Sequence, residues 1–329
     1  MKYRKFGKTE LTVSEVGFGA WGIGGDAKAG EVAIGWGETD DEVSKAALLK
    51  AFDQGVTFYD TADFYGLGHS EELIGETFGD RDDVVIATKV GHVVENGGPA
   101  LDYSKAHVIE GCEASLKRLR REAIDYYQLH SARLEHLREG GCVEAMEELK
   151  AQGKIRHWGI SLNTFNPFPE ADYFFDNEIG EGFQIVLNVI NQRALTLIEE
   201  AGKRGYGVIA RMPLQFGLLT GKFDEDSTFA ETDHRRGRLP RPILKMSLDA
   251  LEEVWKIAEP YGIPKTSFAL SFILNSSGVS TVIPGIKTPE QAVANTTDLV
   301  ELKKDDYEAL KELWRTKLVN LLNEMEKRG

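Results

Sequence analysis

The sequence is poor in cysteine, in positive charge and in long apolar runs, and each shortage removes a class of protein. Its 329 residues include two cysteines, Cys112 and Cys142, thirty positions apart and in no CxxC pair. That supplies neither a disulfide framework nor a zinc site, so free thiols in a reducing compartment, the cytoplasm, are expected. Lysine and arginine number 39 against 53 aspartates and glutamates, a formal charge of −14. Such a chain is a poor partner for nucleic acid or an anionic membrane surface, and an anionic small ligand would need a local basic pocket. No apolar stretch approaches membrane-spanning length, and no apolar segment of a secretory signal follows the opening "MKYRKFGKTEL".

What is present is a recurrence. Short apolar, β-rich runs appear at 15–21, 56–62, 84–90, 124–130, 156–162, 183–189, 206–213 and 279–285. Most are continuous in hydrophobicity rather than alternating, as in a parallel sheet covered on both sides. Between them lie amphipathic stretches such as "TDDEVSKAALLKAFDQG", which has acids in its first turn and ends at Gly55. Strand and helix alternate eight times, which makes this an α/β chain of βα units. No linker or composition break divides it, so a single domain over 1–329 is expected, with long loops at 22–38 and 214–245. An amphipathic helix at about 304–326, with Tyr307, Leu310, Leu313, Trp314, Leu318 and Leu321 inward, suits the outside of that domain better than a dimer contact.

"GFGAWG", Gly17 to Gly22, matches the dinucleotide fingerprint G-x-G-x-x-G, but the following "IGGDAKAGEVAIGWGE" cannot open a helix. The nearest strand-end acid, Asp60, lies thirty-eight residues beyond Gly22 rather than about twenty. The Rossmann reading fails in context.

The strand ends carry the chemistry. They read Trp21, Asp60, Lys89, His130, Ser161 with Asn163, Gln184 with Asn188, and Arg211. If the eight units close into a barrel, these positions converge on one mouth. In "YDTADFYG", Asp60 leaves a strand where Lys89 can be its neighbour, and Tyr65 follows within a short turn. A free phenol titrates near ~10, too high for efficient acid–base work at neutral pH. An ammonium about 4 Å away is worth roughly 4 kcal/mol at an effective dielectric near 20, which eases the proton's loss. Asp60 would keep that ammonium charged, and His130 would hold a substrate oxygen. Taken singly, each has a plainer role as helix cap, solvated lysine, core histidine or packing aromatic. Their placement on consecutive strand ends favours a shared one.

With these residues in view, the chain resembles the aldo-keto reductase superfamily from about Lys5 to Asn295. The resemblance rests on "DTADFYG", "IATKVG", "DYYQLH", "GKIRHWGIS", "GLLTGK" and "VIPGIKTPEQAVAN", in that order. It implies a (β/α)8 TIM barrel with its site at the C-terminal ends of the strands. It also implies an NADPH/NADP+-dependent oxidoreductase, NADH being the alternative cofactor, that interconverts a carbonyl and an alcohol. Tyr65 is then general acid–base, completed by Asp60, Lys89 and His130. Ser161, Asn163 and Gln184 would meet the nicotinamide carboxamide, with Gly19, Ala20, Trp21, Asp60 and Arg211 beside it. Pro213, Leu214, Gly217, Leu218, Lys222 and Arg235 would follow the phosphates, and Gly285, Lys287, Gln291 and Asn295 the adenosine end.

The chain departs from the common pattern in three places. Leu162 separates Ser161 from Asn163, Arg211 replaces an aromatic, and Gly285 and Gln291 stand where some members carry basic residues. "HRRGRLPR", 234–241, concentrates arginines in an acidic protein. It can close over a cofactor as a lid, remain a solvated basic loop or contact another subunit. Trp21, Trp36, Phe64, Tyr65 and His130 are expected to bound the substrate, whether a sugar-like hydroxycarbonyl, a polyol or a small dicarbonyl. No metal is expected. Two other functions are open: a regulatory or scaffold barrel that binds NADPH, and a hydrolase built on Asp60 with Asp63 or His130 with His136.

Overall fold

The computed structural model describes residues 1–229, 233 and 235–328. Its main sheet is parallel: β1 (Phe18–Gly19), β2 (Phe58–Asp60), β3 (Val85–Val90), β4 (Ile124–His130), β5 (Ile155–Ser161), β6 (Gly182–Val186), β7 (Gly207–Arg211) and β8 (Thr281–Val282). Each strand pairs with the next in chain order. Parallel bridges Val16–Val282 and Gly19–Gly285 bring the first strand against the last. A side chain at Gly19 would meet the Pro284 carbonyl oxygen at 2.9 Å, so the closure needs glycine there. Eight parallel strands with crossover helices, curled until the edges meet, form the (β/α)8 barrel.

Helices start and stop on local signals. The first, Asp41–Asp53, begins where the Asp40 carboxylate accepts the Val43 amide at 2.9 Å, and the chain leaves it through Gly55 at φ +88°. The expected loop at 214–245 ends sooner. Pro240 and Pro242 fix the backbone at a helix entry, and Arg241–Ala258 is helical. The 22–38 segment is not uniform loop either: a 3₁₀ turn, Ala20–Gly24, leads to a small hairpin, Lys28–Ala29 with Val32–Ala33. Near the C-terminus, Lys304–Leu313 and Val319–Glu326 run on through a wider turn at Trp314–Leu318.

The barrel interior changes character along the strands because alternate residues share a face. At the lower level Phe58, Ala87, Tyr126 and Ile209 join Phe6 and Val13 in a buried apolar cluster. Phe6 follows Tyr3–Lys5, which pairs with Thr12–Ser14 as an antiparallel hairpin. Its ring packs at 4.8 Å on Tyr126. Gly182 and Gly207 make room for it, since a Cβ there would meet its ring at 2.9 and 2.5 Å. Two residues further along the same strands stand Asp60, Lys89, Gln128 and Arg211.

Candidate active site

Lys89 organises the upper level. Its side chain is fully buried, and its Nζ donates to Asp60 Oδ1 at 2.6 Å, to the Thr61 carbonyl at 2.7 Å and to the Tyr65 hydroxyl at 3.2 Å. Burial opposes the charge, but the Asp60 carboxylate and the Tyr65 oxygen more than offset it, so Lys89 titrates above an ordinary lysine. The other oxygen of Asp60 accepts from Gln128 Nε2 at 3.0 Å and Gln184 Nε2 at 2.8 Å. The carboxylate is thereby held from β3, β4 and β6.

Tyr65 opens a kinked turn in which Gly66 and Leu67 take positive φ. Its ring lies under the Lys89 ammonium, 4.7 Å from centroid to nitrogen, and stacks at 5.9 Å with Trp21. Trp21 meets Trp36 edge-on at 5.2 Å and donates its indole N–H to Ile34 O at 3.0 Å. The His130 ring stands edge-on to Tyr65 at 5.8 Å. Burial, with the charges of Lys89 and Arg211 and the adjoining His92, holds His130 well below an ordinary histidine, so it is a neutral donor or acceptor. The Tyr103 hydroxyl donates to its backbone carbonyl at 2.5 Å.

The other expected residues fall around this mouth with differing commitments. Ser161, ending β5, accepts the Ser131 amide at 3.0 Å through its hydroxyl. The Asn163 side-chain oxygen takes the amides of Phe165 and Asn166, both at 2.9 Å, and so shapes its own loop. Arg211, ending β7, donates to Leu162 O at 2.9 Å, while its Nε is buried without a protein partner. Beyond it, Met212, Gln215, Phe216 and Gly217 adopt positive φ in a turn that includes Pro213 and Leu214. Asn188 braces that turn, its amide donating to Met212 O at 2.9 Å and Gln215 Oε1 at 2.8 Å. Leu218 is buried and Lys222 exposed. Asn295 donates to Gly285 O at 3.4 Å, and Gln291 accepts the Lys287 amide at 2.7 Å.

The loops after β1, β7 and β8 meet beside the barrel. Arg235 pairs with Asp233 at 2.5 Å and lies over the rings of Phe229, Trp36 and Phe223 at 5.0, 5.4 and 6.0 Å. Lys287 Nζ donates to Trp36 O at 3.2 Å. Burial and the nearby Arg235 draw Lys287 below its ordinary value. Two cations, one already paired with Asp233, thus stand near the open space at Gly285. His234 of the basic run lies outside the described residues.

Sequence reasoning missed Gln128, whose inward direction only strand register reveals, and His92. The latter begins a hairpin, His92–Glu95 with Gly98–Leu101, and its ring packs 4.2 Å from His130. The pairs considered for hydrolysis gather no metal site: among the described residues no three His, Cys, Asp or Glu side chains converge to hold an ion.

A parallel eight-stranded barrel with a buried lysine and carboxylate and a partly buried phenol at the C-terminal ends of its strands has the layout of a TIM-barrel active site. The family model described as "Aldo/keto reductase family" matches residues 15–315, and the chain belongs to that family. The aldo-keto reductase YhdN of Bacillus subtilis is 33% identical over 313 residues, covering 89% of this chain and 87% of that one. A Schizosaccharomyces pombe protein named as a voltage-gated potassium channel subunit beta is 30% identical over 335 residues, covering 94% and 92%. The solved glycerol dehydrogenase AKR11B4 of Gluconobacter oxydans superposes with a TM-score of 0.79 at 27% identity, over 96% of this chain and 95% of that one. The family includes oxidoreductases and binds nicotinamide cofactors.

Proposed function

We propose that the chain is an NADPH-dependent reductase of aldehydes or ketones, and the corresponding alcohol dehydrogenase in reverse, with Tyr65 as its general acid–base. The reading is carried by one observation: a fully buried ammonium bonded at once to Asp60 and to the Tyr65 hydroxyl. When bound, the cofactor supplies the hydride from its nicotinamide. Tyr65 gives its proton to the carbonyl oxygen, and Lys89 stabilises the oxygen left behind. His130, held neutral, donates to the same substrate oxygen and orients the carbonyl. Trp21 and Trp36 wall the site against water, with Phe64 across the mouth beside His92.

For the cofactor, Ser161, Asn163 and Gln184 would face the carboxamide. Arg211 would lie beside it, the 213–222 turn and Arg235 would follow the phosphates, while Gly285, Lys287, Gln291 and Asn295 would hold the adenosine end. Lys287, with Arg235 near it, is what favours NADPH over NADH in this reading. Replacing Arg235 and Arg236 by alanine should weaken NADPH binding more than NADH binding in a fluorescence titration. Equal weakening would remove them from phosphate recognition.

We infer that residues 1–329 act as one domain. Both cysteines are buried and unpaired, which suits a reducing cytoplasm. Among the described residues no helix is long and apolar enough to cross a membrane.

Tyr65→Phe tests the proposal. It should bind NADPH as wild type does while kcat falls by about 10²–10⁴-fold on any aldehyde that wild type reduces. Retained rate would refute the acid–base role. The channel-subunit relative motivates a second reading, a scaffold barrel. Wild-type binding of NADPH with no turnover across an aldehyde panel would favour it.

A further inference from the structure

Resting on the reductase reading, we infer that Tyr103 is a positioning residue: its hydroxyl holds the His130 backbone in the strained turn that aims the imidazole at the substrate oxygen. The strand ladder does not hold it alone. Pairing of β4 with β3 stops at Leu129–Val90, one residue short of His130. The next residue, Ser131, takes φ +65°, a left-handed conformation that is unfavourable for a serine. Its amide is shared between Leu129 O and the Ser161 hydroxyl, both at 3.0 Å. His130 Nδ1 is buried without a protein partner, so no bond from that nitrogen steers the ring. The direction of the imidazole therefore follows its backbone and its packing.

Tyr103 is placed to fix that backbone. It is buried, and its hydroxyl donates to the His130 carbonyl at 2.5 Å. Burial pushes the phenol well above its ordinary value, so the proton stays on Tyr103 as a donor. Its own position is tied on both sides. The Asp102 amide donates to Gly91 O at 2.9 Å, and the Ser104 hydroxyl caps the helix Lys105–Leu119 by accepting the His107 amide at 3.3 Å. Its ring fills the space at Gly91, two residues past Lys89, where a Cβ would meet it at 2.0 Å. One side chain thus reaches from the exit of the lysine strand to the end of the histidine strand. The His92 imidazole bonds to the same His130 backbone, so losing one donor loosens the turn rather than releasing it. The net worth of a hydrogen bond and the cost of a left-handed serine are of the same order, so this contact can decide whether the turn holds.

The experiment is a double-mutant cycle of Tyr103→Phe and Ser131→Gly in the full chain. Kinetics use NADPH with whichever of propanal, benzaldehyde and 4-nitrobenzaldehyde the wild type reduces fastest. NMR follows the labelled histidine rings, His130 being assigned by the loss of its signal in His130→Asn. Phenylalanine keeps the ring against Gly91 and His136, and melting curves check the fold. Tyr103→Phe should leave NADPH binding unchanged, lower kcat about tenfold and move the His130 signal, while those of His69 and His157 stay. Glycine accepts the left-handed turn without a clamp, so adding Ser131→Gly should restore most of kcat and of the signal. An unmoved His130 signal, or a loss of kcat or of fold that glycine does not recover, overturns this inference alone. A wild type that binds NADPH and reduces none of the aldehydes overturns the reductase reading, and the ring signals still test the hold on His130.

Discussion

Lys89 carries a charge where no solvent supports it, and the surrounding residues show how that is sustained. Asp60 neutralises it, the Thr61 carbonyl accepts a second hydrogen bond from the ammonium, and the amides of Gln128 and Gln184 satisfy the remaining carboxylate oxygen. Removing one ion from such a pair leaves the other stranded. Lys89→Met should therefore cost about 3–5 kcal/mol in urea unfolding, and adding Asp60→Asn should recover much of it. A loss unaffected by the second change would show that packing, not charge, held the site together. The histidines give a pH signature. His92 and His130 titrate below the ordinary value, while an unfolded histidine titrates near ~6.5. As pH falls through that unfolded value, the unfolded chain takes up protons that the folded one refuses, so stability present above it is progressively lost. The urea midpoint should drop between pH 7 and 5, and His130→Asn should flatten that drop.

Among the elements, the strand ends were legible and several loops were not. Several barrel strands are apolar runs that carry a polar residue at or next to their end, so Asp60, Lys89, His130 and Arg211 announce themselves. Gln128 sits mid-strand, where nothing in "DYYQLH" distinguishes an inward glutamine from an outward one. The hairpins at 3–14 and 92–101 fall outside the strand–helix alternation, and their pairing depends on turns of a few residues. The loop after β7 was read as basic, but its contacts were hidden because Arg235, Trp36 and Lys287 come from three separate segments. Arg235→Ala should loosen the hold on Trp36 and thus on the aromatic wall. Cleavage by trypsin or another protease within 214–240 should quicken severalfold, and a bound dinucleotide should slow it; unchanged cleavage would show that this arginine does not tie the loops.

For the whole molecule, closure depends on residues far apart in sequence. Arg4 donates to Leu274 O at 2.9 Å, Val279 O at 3.1 Å and Glu15 at 3.1 Å, joining the N-terminal hairpin to the segment before β8. Phe6 fills the barrel end that the glycines leave open. Phe6→Ala should cost about 3–5 kcal/mol, read as a shifted urea midpoint, while the kinetic constants of the folded enzyme change much less. A large loss of kcat in protein shown to be folded would contradict the separation between the lower plug and the polar level above it. The eightfold alternation made the α/β class readable, but the plug was not, because "MKYRKFGKTEL" resembles an ordinary polar lead-in until Phe6 is placed among Gly182, Gly207 and Tyr126.

The fastening of Asp60 across several staves of the barrel has an evolutionary corollary. Loss of the phenolic oxygen abandons no buried ion, whereas loss of the ammonium does. A lineage drifting away from turnover would shed Tyr65 early and keep Asp60 and Lys89 as rivets. In descendants of this chain, a surviving phenol would therefore be the more telling mark of continued selection for chemistry.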